Sequence, residues 1–210
     1  AFEAGGSEYE IHMAYLQACE ILEEETPYTN IVALDEKAAI LHYQNKRRSS
    51  GEHSQVLLIA AGCRVNSYCS DITRTSTREH TLPLFCDLVD SLLAQKVSTL
   101  FMPHGVGHLL GIQVHDVGGR MKNIAGETLA PHSDYPSLRT TRMTEVGQVF
   151  TIEPGLYFIP VLLNPERGSA RGRLINWDLV DTLSPLGGIR IEDNVLVTDT
   201  GVENLTRVSI

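Results

Sequence analysis

The sequence contains no long run of apolar residues. At 210 residues and 42% hydrophobic composition, the chain can bury a core of its own. No apolar run approaches the ~20 residues that a membrane-spanning helix needs. The first six residues also lack the charged and then apolar pattern of a signal peptide. We therefore expect a globular cytoplasmic protein with no membrane partner.

Cysteines are few and their spacing is uninformative. Cys19, Cys63, Cys69 and Cys86 form no CxxC pair, and none has a histidine at zinc-finger spacing. We therefore expect buried, reduced thiols rather than disulfides or a thiolate metal site.

Basic residues are outnumbered. The chain has 17 Lys and Arg against 26 Asp and Glu, a net charge of -9, and no basic cluster offsets it. This balance argues against a nucleic-acid partner. Most of the acids are expected on the solvated surface, although some could instead hold a cation.

The hydrophobic pattern predicts an α+β protein. Ser7 and Glu10 form a capping box at the start of an amphipathic helix over 7–24, and a second helix is predicted from Leu82 to Gln95. Strands are predicted over five apolar segments, at residues 30–34, 38–43, 56–61, 149–153 and 189–197. The polar turn at 35–37 predicts that the first two strands pair in antiparallel fashion.

Two acids interrupt these predicted strands. Glu153 and Glu192 each follow β-branched residues, and a partly buried carboxylate is costly unless a cation or hydrogen-bond donors compensate. A metal ion would provide that compensation. An ion pair with the nearby Arg190 would also provide it, and for either acid alone this structural role is favoured.

Three histidines lie in the glycine-rich segment after Pro103. His104, His108 and His115 have a spacing that a helix could align, but the glycines favour loop or strand. A lone histidine is more often a surface or core residue, yet three in so short a segment favour a site.

One imidazole and three carboxylates form a candidate ligand set: Asp71, His108, Glu153 and Glu192. This hard, oxygen-rich set suits Mn²⁺ or a similar divalent ion. Asp71 taken alone could equally be a turn or cap residue.

Eight spaced motifs stand out along the chain. The segments Pro-His104-Gly-Val-Gly-His108, Val-His115-Asp, Thr-Ile-Glu153-Pro-Gly and Gly-Ile-Arg190-Ile-Glu192-Asp-Asn resemble the motifs of the pita-bread metallopeptidases. The segments Pro-Tyr28-Thr-Asn, Leu-His42-Tyr, Asp71-Ile-Thr-Arg-Thr and Leu-Arg139-Thr-Thr-Arg most resemble bacterial prolidases, including members that hydrolyse organophosphorus acid anhydrides. The resemblance covers nearly the whole chain but not the N-terminal domain that usually precedes it. It implies a single catalytic domain over 1–210 with a pita-bread (creatinase/aminopeptidase-like) fold, a curved mixed or antiparallel sheet covered by helices.

The resemblance also implies metal-dependent hydrolysis of Xaa-Pro dipeptides. Asp71 and Glu192 would bridge two divalent ions, and His108 and Glu153 would complete the binding of one of them. Mn²⁺ is the expected ion, with Co²⁺ or Zn²⁺ as alternatives. Glu153 is therefore expected to act in both metal binding and catalysis.

Substrate contacts are implied for five further residues. His115 and His42 would be catalytic residues that contact the substrate, with His115 the expected partner of the tetrahedral intermediate. Arg139 would pair with the carboxylate of the C-terminal proline, which favours dipeptides. His104 and Arg190 are the remaining substrate-binding candidates, and Arg190 has the ion pair with Glu192 as an alternative role.

Two features depart from the family pattern. Ala60 stands where the family has a metal-binding aspartate, so we predict one ion held tightly and the second weakly or not at all. The segment from Ile72 to Pro103 is much shorter than in the family, which predicts the loss of one or more helices and an exposed sheet face. A homodimer or marginal stability would follow.

Two other interpretations remain open. One is a catalytically silent homologue that binds a proline-containing peptide or a single metal. The other is a metal-free hydrolase, because the same fold also hosts creatinase-type chemistry, but the remaining ligand set argues against it.

Overall fold

The computed structural model describes residues 1–78, 98–123 and 125–207, and the predicted helix from Leu82 to Gln95 lies outside them. Its helices are α1 (Glu8–Cys19), α2 (Ser98–Phe101), α3 (Pro160–Leu163) and α4 (Trp177–Leu183). The strands are β1 (Ile31–Leu34), β2 (Val56–Ala61), β3 (Arg64–Val65), β4 (Tyr68–Cys69), β5 (Ile72–Thr77), β6 (Val149–Ile152), β7 (Gly155–Tyr157), β8 (Gly188–Arg190), β9 (Asp193–Thr198) and β10 (Gly201–Asn204). The α+β class is confirmed.

Helix α1 begins as its capping box predicts. The Ser7 hydroxyl accepts a hydrogen bond from the Glu10 amide (3.2 Å), and the Glu10 carboxylate accepts one from the Ser7 amide (2.8 Å). The helix ends earlier than predicted, because Glu20 adopts a left-handed conformation with φ of 55°. A 3₁₀ turn at Glu23–Glu25 follows.

The first sheet has the order β1-β2-β5, and both strand pairs are antiparallel. Successive side chains along each strand point to opposite faces of this sheet, as the two-residue period of a strand requires. One face packs Val32, Leu34 and Leu57 against Ile11 of α1. The other face carries Ile31, Ala33, Leu58 and Ala60, and this second face leads toward the candidate site.

The predicted strand over 38–43 was wrong. Residues Asp35–Ala39 form a 3₁₀ helix, and β1 pairs instead with β2, with Leu34 opposite Leu57. The Asp35 carboxylate accepts hydrogen bonds from the amides of Gln55 (2.7 Å) and Val56 (3.0 Å). These bonds join the end of β1 to the start of β2, so the intervening residues are excluded from the sheet.

The second half of the chain forms a sheet of order β10-β9-β6 and a separate pair of β7 with β8. The single strand predicted over 189–197 is therefore divided into β8 and β9. Glu192 lies at the break, where it forms an isolated bridge with Thr73 of β5. This bridge connects the two halves of the chain at the candidate site.

A further core lies against the β7–β8 pair. Phe101 of α2 and Phe158 pack edge to face, with ring centroids 5.9 Å apart. The core also contains Leu156 of β7, together with Leu163 of α3 and Val180 and Leu183 of α4, which anchor those two helices. None of the helices in the described part of the chain combines the length and apolar character that crossing a bilayer requires.

Candidate active site

Asp71, His108 and Glu192 converge from three distant parts of the chain. Each offers a ligand atom, and these atoms lie within 4.8 Å of one another. Asp71 directly precedes β5, His108 lies in the glycine-rich loop, and Glu192 lies between β8 and β9. All three are buried.

The glycine-rich loop is held against β6. The His108 amide donates to the Thr151 hydroxyl (3.1 Å), and the Thr151 amide donates to the His108 carbonyl oxygen (2.9 Å). A Cβ at Gly107 would lie 1.9 Å from the Thr151 carbonyl oxygen, so this close approach requires glycine.

The His108 ring is oriented as a metal ligand would be. Its Nδ1–H donates to the Leu109 carbonyl oxygen (3.2 Å), which leaves the Nε2 lone pair facing the carboxylates. Nε2 lies 3.6 Å from Asp71, 3.8 Å from Glu153 and 4.0 Å from Glu192. These distances are too long for hydrogen bonds, but they leave room for a cation between the groups.

Among the acids of the cluster, Glu192 has the strongest need for a positively charged partner. Its Oε1 atom is buried and has no hydrogen-bond partner, whereas Oε2 accepts from the Thr73 hydroxyl (2.6 Å). Burial, followed by the charges of Asp71 and Glu153, raises the pKa of Glu192 to about 9. An unpartnered buried carboxylate oxygen is costly, so this donor set fits a divalent cation.

Glu153 lies at the edge of the cluster, directly after β6. Its side chain is 16% exposed, and its amide donates to the Val106 carbonyl oxygen (2.7 Å). Burial raises the pKa of its carboxyl group. Glu153 is therefore placed to be a fourth ligand at the more open side.

Hydrogen bonds from neighbouring side chains position the carboxylates of Asp71 and Glu192. The Tyr28 hydroxyl donates to Asp71 Oδ1, and burial followed by the Asp71 charge raises the pKa of Tyr28 well above its usual value. Thr73 donates to Glu192 and accepts from Arg190 Nε (3.1 Å). Arg190 therefore reaches Glu192 through Thr73, and the direct ion pair considered from the sequence is not formed.

The cluster lines a cavity of about 270 Å³ that also contains His42, His115 and Ala60. The ring centroids of His115 and His108 are 4.3 Å apart. His115 lies at the cavity mouth, where desolvation by the surrounding protein, together with the neighbouring His108 and Arg139, lowers its pKa to about 4. Its imidazole is therefore neutral at neutral pH.

A smaller adjoining cavity of about 80 Å³ brings together the other predicted substrate residues. His42, His104, His115, Arg139, Glu153 and Arg190 all line it. No ion pair of Arg139 is found among the described residues. Its guanidinium is available to an anionic ligand.

His104 is fixed by a chain of hydrogen bonds. Its Nδ1–H donates to the Gly105 carbonyl oxygen (2.7 Å), so Nε2 accepts from the Tyr157 hydroxyl (2.9 Å). Arg190 Nη1 donates to the same hydroxyl oxygen (3.4 Å). Burial raises the pKa of Tyr157 to about 12 and lowers that of His104, which keeps both groups neutral and in these roles.

Ala60 lies on the face of β2 that looks toward the cluster. It is 2% exposed, lines the larger cavity and is paired with Thr73 across the sheet. Residues paired across antiparallel strands point to the same face, and the Thr73 side chain contacts Glu192. A longer acidic side chain at position 60 would therefore enter the cluster.

Sequence reasoning did not assign Tyr28, Thr73 or Tyr157 to the site. Thr73 had a usable signal, because it is two residues after Asp71 and alternate residues of a strand share a face. Tyr28 lies in one of the motifs that carry the resemblance, but the motif gave it no role. Tyr157 had no local signal, since its partner His104 is distant in the sequence.

The sequence profile of metallopeptidase family M24 matches residues 1–82 and 84–199. The chain belongs to metallopeptidase family M24. The expected pita-bread fold is confirmed by this match and by the solved structures below.

Two curated relatives are both named Xaa-Pro dipeptidase. This chain is 40% identical to the protein from Pseudoalteromonas atlantica and 42% identical to that from Aeromonas hydrophila, in each case over 99% of this chain and 57% of the relative. The chain therefore spans little more than half the length of the curated relatives it matches.

The matched region is longer in these relatives. Each alignment runs over 254 positions, whereas this chain has 210 residues. The profile match is also interrupted at residue 83, inside the segment from Ile72 to Pro103. Both observations agree with the shortening predicted from the sequence.

Solved aminopeptidase P structures have the same fold. An alanine variant of the Escherichia coli enzyme matches 98% of this chain and 50% of its own, with a TM-score of 0.67 and 25% identity. Proline aminopeptidase P II from Yersinia pestis matches 98% of this chain and 51% of its own, with a TM-score of 0.64 and 26% identity.

Proposed function

We propose that this chain carries the site of a metal-dependent hydrolase of Xaa-Pro dipeptides. The observation that carries the proposal is the convergence of Asp71, His108 and Glu192, with one Glu192 oxygen buried and unpartnered. Membership of a metallopeptidase family and the names of the relatives support the same reaction class. Mn²⁺ is the ion we propose, because the donor set is rich in oxygen.

Each side chain has a role in this proposal. Asp71, His108, Glu153 and Glu192 would hold a divalent ion, which supplies Lewis-acid polarisation of the scissile carbonyl group and activates a water molecule. His115, neutral at the cavity mouth, can donate a hydrogen bond to the oxygen on which negative charge develops. His42 lines both cavities and would contact the substrate between them.

Arg139 would select the substrate. It lines the smaller cavity without an ion-pair partner among the described residues, so a carboxylate of the ligand can take that place. A guanidinium binds a carboxylate through two parallel hydrogen bonds. A C-terminal proline carboxylate at this position limits the substrate to dipeptides.

A second candidate function is a catalytically silent homologue that binds a proline-containing peptide or one metal ion. Ala60 favours this candidate, because a methyl group lines the cavity at a position from which a carboxylate would reach the cluster. A site with fewer carboxylates neutralises a second dication less well. We propose one tightly held ion.

The deciding experiment compares the wild-type chain with Ala60→Asp. Metal content after dialysis and turnover of a Xaa-Pro dipeptide in added Mn²⁺ are measured for both. We expect about one ion in the wild-type chain and two in the variant. Turnover by the wild-type chain supports the enzyme, rescue only in Ala60→Asp supports the silent homologue, and no turnover in either refutes the enzyme.

A matched pair of variants tests the metal site itself. In Glu192→Gln, an amide N–H group would replace the unpartnered oxygen and face Asp71, so the metal-free protein should gain thermal stability and lose the stabilisation by Mn²⁺. Glu203→Gln changes an exposed acid on β10 and should alter neither property. Equal Mn²⁺ stabilisation in both variants would place the ion elsewhere.

A further inference from the structure

A second cluster of reactive groups lies away from the candidate active site, between α1 and the end of β2. The Tyr15 hydroxyl is 3.4 Å from the Cys63 sulfur. Cys19 follows Tyr15 by one helical turn, so the two side chains share one face of α1. The Cys63 sulfur therefore lies against the face of α1 that carries Cys19, and the two cysteines are neighbours across the contact between α1 and the end of β2.

Both thiols are free and within reach of a small reagent. Cys19 and Cys63 are each only partly buried, whereas Cys69 is buried and its thiol donates to the Ile112 carbonyl oxygen (3.2 Å). Cys19 and Cys63 thus differ from Cys69 in exposure and in lying beside each other at the contact between α1 and the end of β2. This difference makes Cys69 a matched control.

Cys63 is also joined to the residue before Asp71. Its amide donates to the Ser70 hydroxyl (3.0 Å), and its carbonyl oxygen accepts from the Ser70 amide (2.9 Å). A covalent bond at Cys63 would therefore tie α1 to the strand connection that carries Asp71.

We propose that Cys19 and Cys63 form a modification site, a thiol pair that is reversibly converted to a disulfide by a low-molecular-weight disulfide such as oxidised glutathione. One protein thiolate attacks the glutathione disulfide and releases one glutathione, which leaves a mixed disulfide. The second protein thiolate attacks the protein sulfur of that mixed disulfide and releases the other glutathione. Two protein thiols are oxidised, one glutathione disulfide is reduced, and the two thiol protons leave on the glutathione products. The proposal is independent of the proposed peptidase activity.

Tryptic mapping tests the pair directly, because each cysteine lies on its own peptide. Cleavage after Lys37, Arg48 and Arg64 places Cys19 in peptide 1–37 and Cys63 in peptide 49–64. The folded protein is treated with oxidised glutathione, the free thiols are blocked, and the digest is analysed by mass spectrometry without reduction. We expect peptides 1–37 and 49–64 to be cross-linked, and the cross-link to disappear when a thiol reductant is added.

Three variants and a mixing control complete the test. Cys19→Ser and Cys63→Ser should each abolish the cross-link, and Cys69→Ser should leave it unchanged. In a mixture of isotope-labelled and unlabelled protein, both linked peptides should carry the same label. The oxidised protein should also melt several degrees higher, because the bond closes the long loop between the two residues.

Three results would overturn the proposal. The first is recovery of the two peptides as separate glutathione adducts. The second is recovery of both peptides with free thiols, at a glutathione disulfide concentration that modifies the cysteines of an unfolded control. The third is a cross-link that joins a labelled chain to an unlabelled chain.

Discussion

At Glu192 the chain carries a carboxylate that its own side chains do not neutralise. Thr73 satisfies one oxygen, and the other is buried beside Asp71 and within 4.0 Å of His108 Nε2. Arg190, the nearest cation in the sequence, is turned toward Thr73 and Tyr157 instead. A buried group left in this state destabilises the fold unless a ligand compensates.

Arg139 gives a prediction at the same scale. Replacing it with alanine removes the proposed carboxylate clamp, so KM for a Xaa-Pro dipeptide should rise about tenfold to a hundredfold, as expected for a lost charged hydrogen bond. The value of kcat should change much less, because the clamp binds the substrate carboxylate equally well in the ground state and in the transition state. Steady-state kinetics on whichever of the wild-type chain or Ala60→Asp turns over would measure this.

Two controls separate the clamp from a general charge effect. Arg173→Ala removes an exposed arginine outside both cavities and should leave KM unchanged. A Xaa-Pro amide, which lacks the carboxylate, should bind equally to the wild-type chain and to Arg139→Ala. An equal loss of affinity for the amide would assign Arg139 another role.

Among the elements, α1 is joined to β1 and to the segment after it by a buried acid. Glu8 is fully buried. Its Oε1 accepts from the Leu34 amide (3.2 Å) and lies 3.4 Å from Arg47 Nε, and its Oε2 accepts from the Tyr43 hydroxyl (2.8 Å) and the Arg47 amide (2.9 Å). Glu8 thus fixes both β1 and the segment that carries His42.

Glu8→Gln should therefore lower the free energy of unfolding by about 2 kcal/mol, the cost of leaving buried donors unpaired. In either orientation of the new amide, its NH₂ group would face two hydrogen-bond donors that a Glu8 carboxylate oxygen now faces as an acceptor. Urea unfolding measures the change. Glu3→Gln, at an exposed acid, should shift the same value by less than about 0.5 kcal/mol, and an equally small effect of Glu8→Gln would contradict the bridging role.

Elements also show where local patterns fail. The capping box at Ser7 correctly predicted the start of α1, because both partners lie within three residues of each other. The strand expected over 38–43 did not form, because Asp35 hydrogen-bonds to the first residues of β2. Local composition is compatible with a strand there, but the neighbouring position in the sheet is already occupied.

On the scale of the whole molecule, the short segment between Ile72 and Pro103 has a physical consequence. The relatives carry additional residues inside the matched region, and a layered fold that loses a helix exposes the apolar sheet face beneath it. We therefore expect a homodimer in which a second copy covers that face. Sedimentation velocity should show a species of twice the chain mass, and its dissociation on dilution should lower the melting temperature. A monodisperse monomer of high thermal stability would contradict this prediction.

The sequence by itself determined the ligand types, their order along the chain, the family and the alanine at position 60. These features are carried by short motifs, whose spacing can be seen without a fold. The tertiary structure alone decided which groups meet: Thr73 bonds to Glu192 across 119 positions of sequence, and Tyr157 bonds to His104 across 53. The same holds for Tyr15 and Cys63, which are 48 positions apart. Such contacts follow from how strands pair and pack, and no local pattern of residues encodes them.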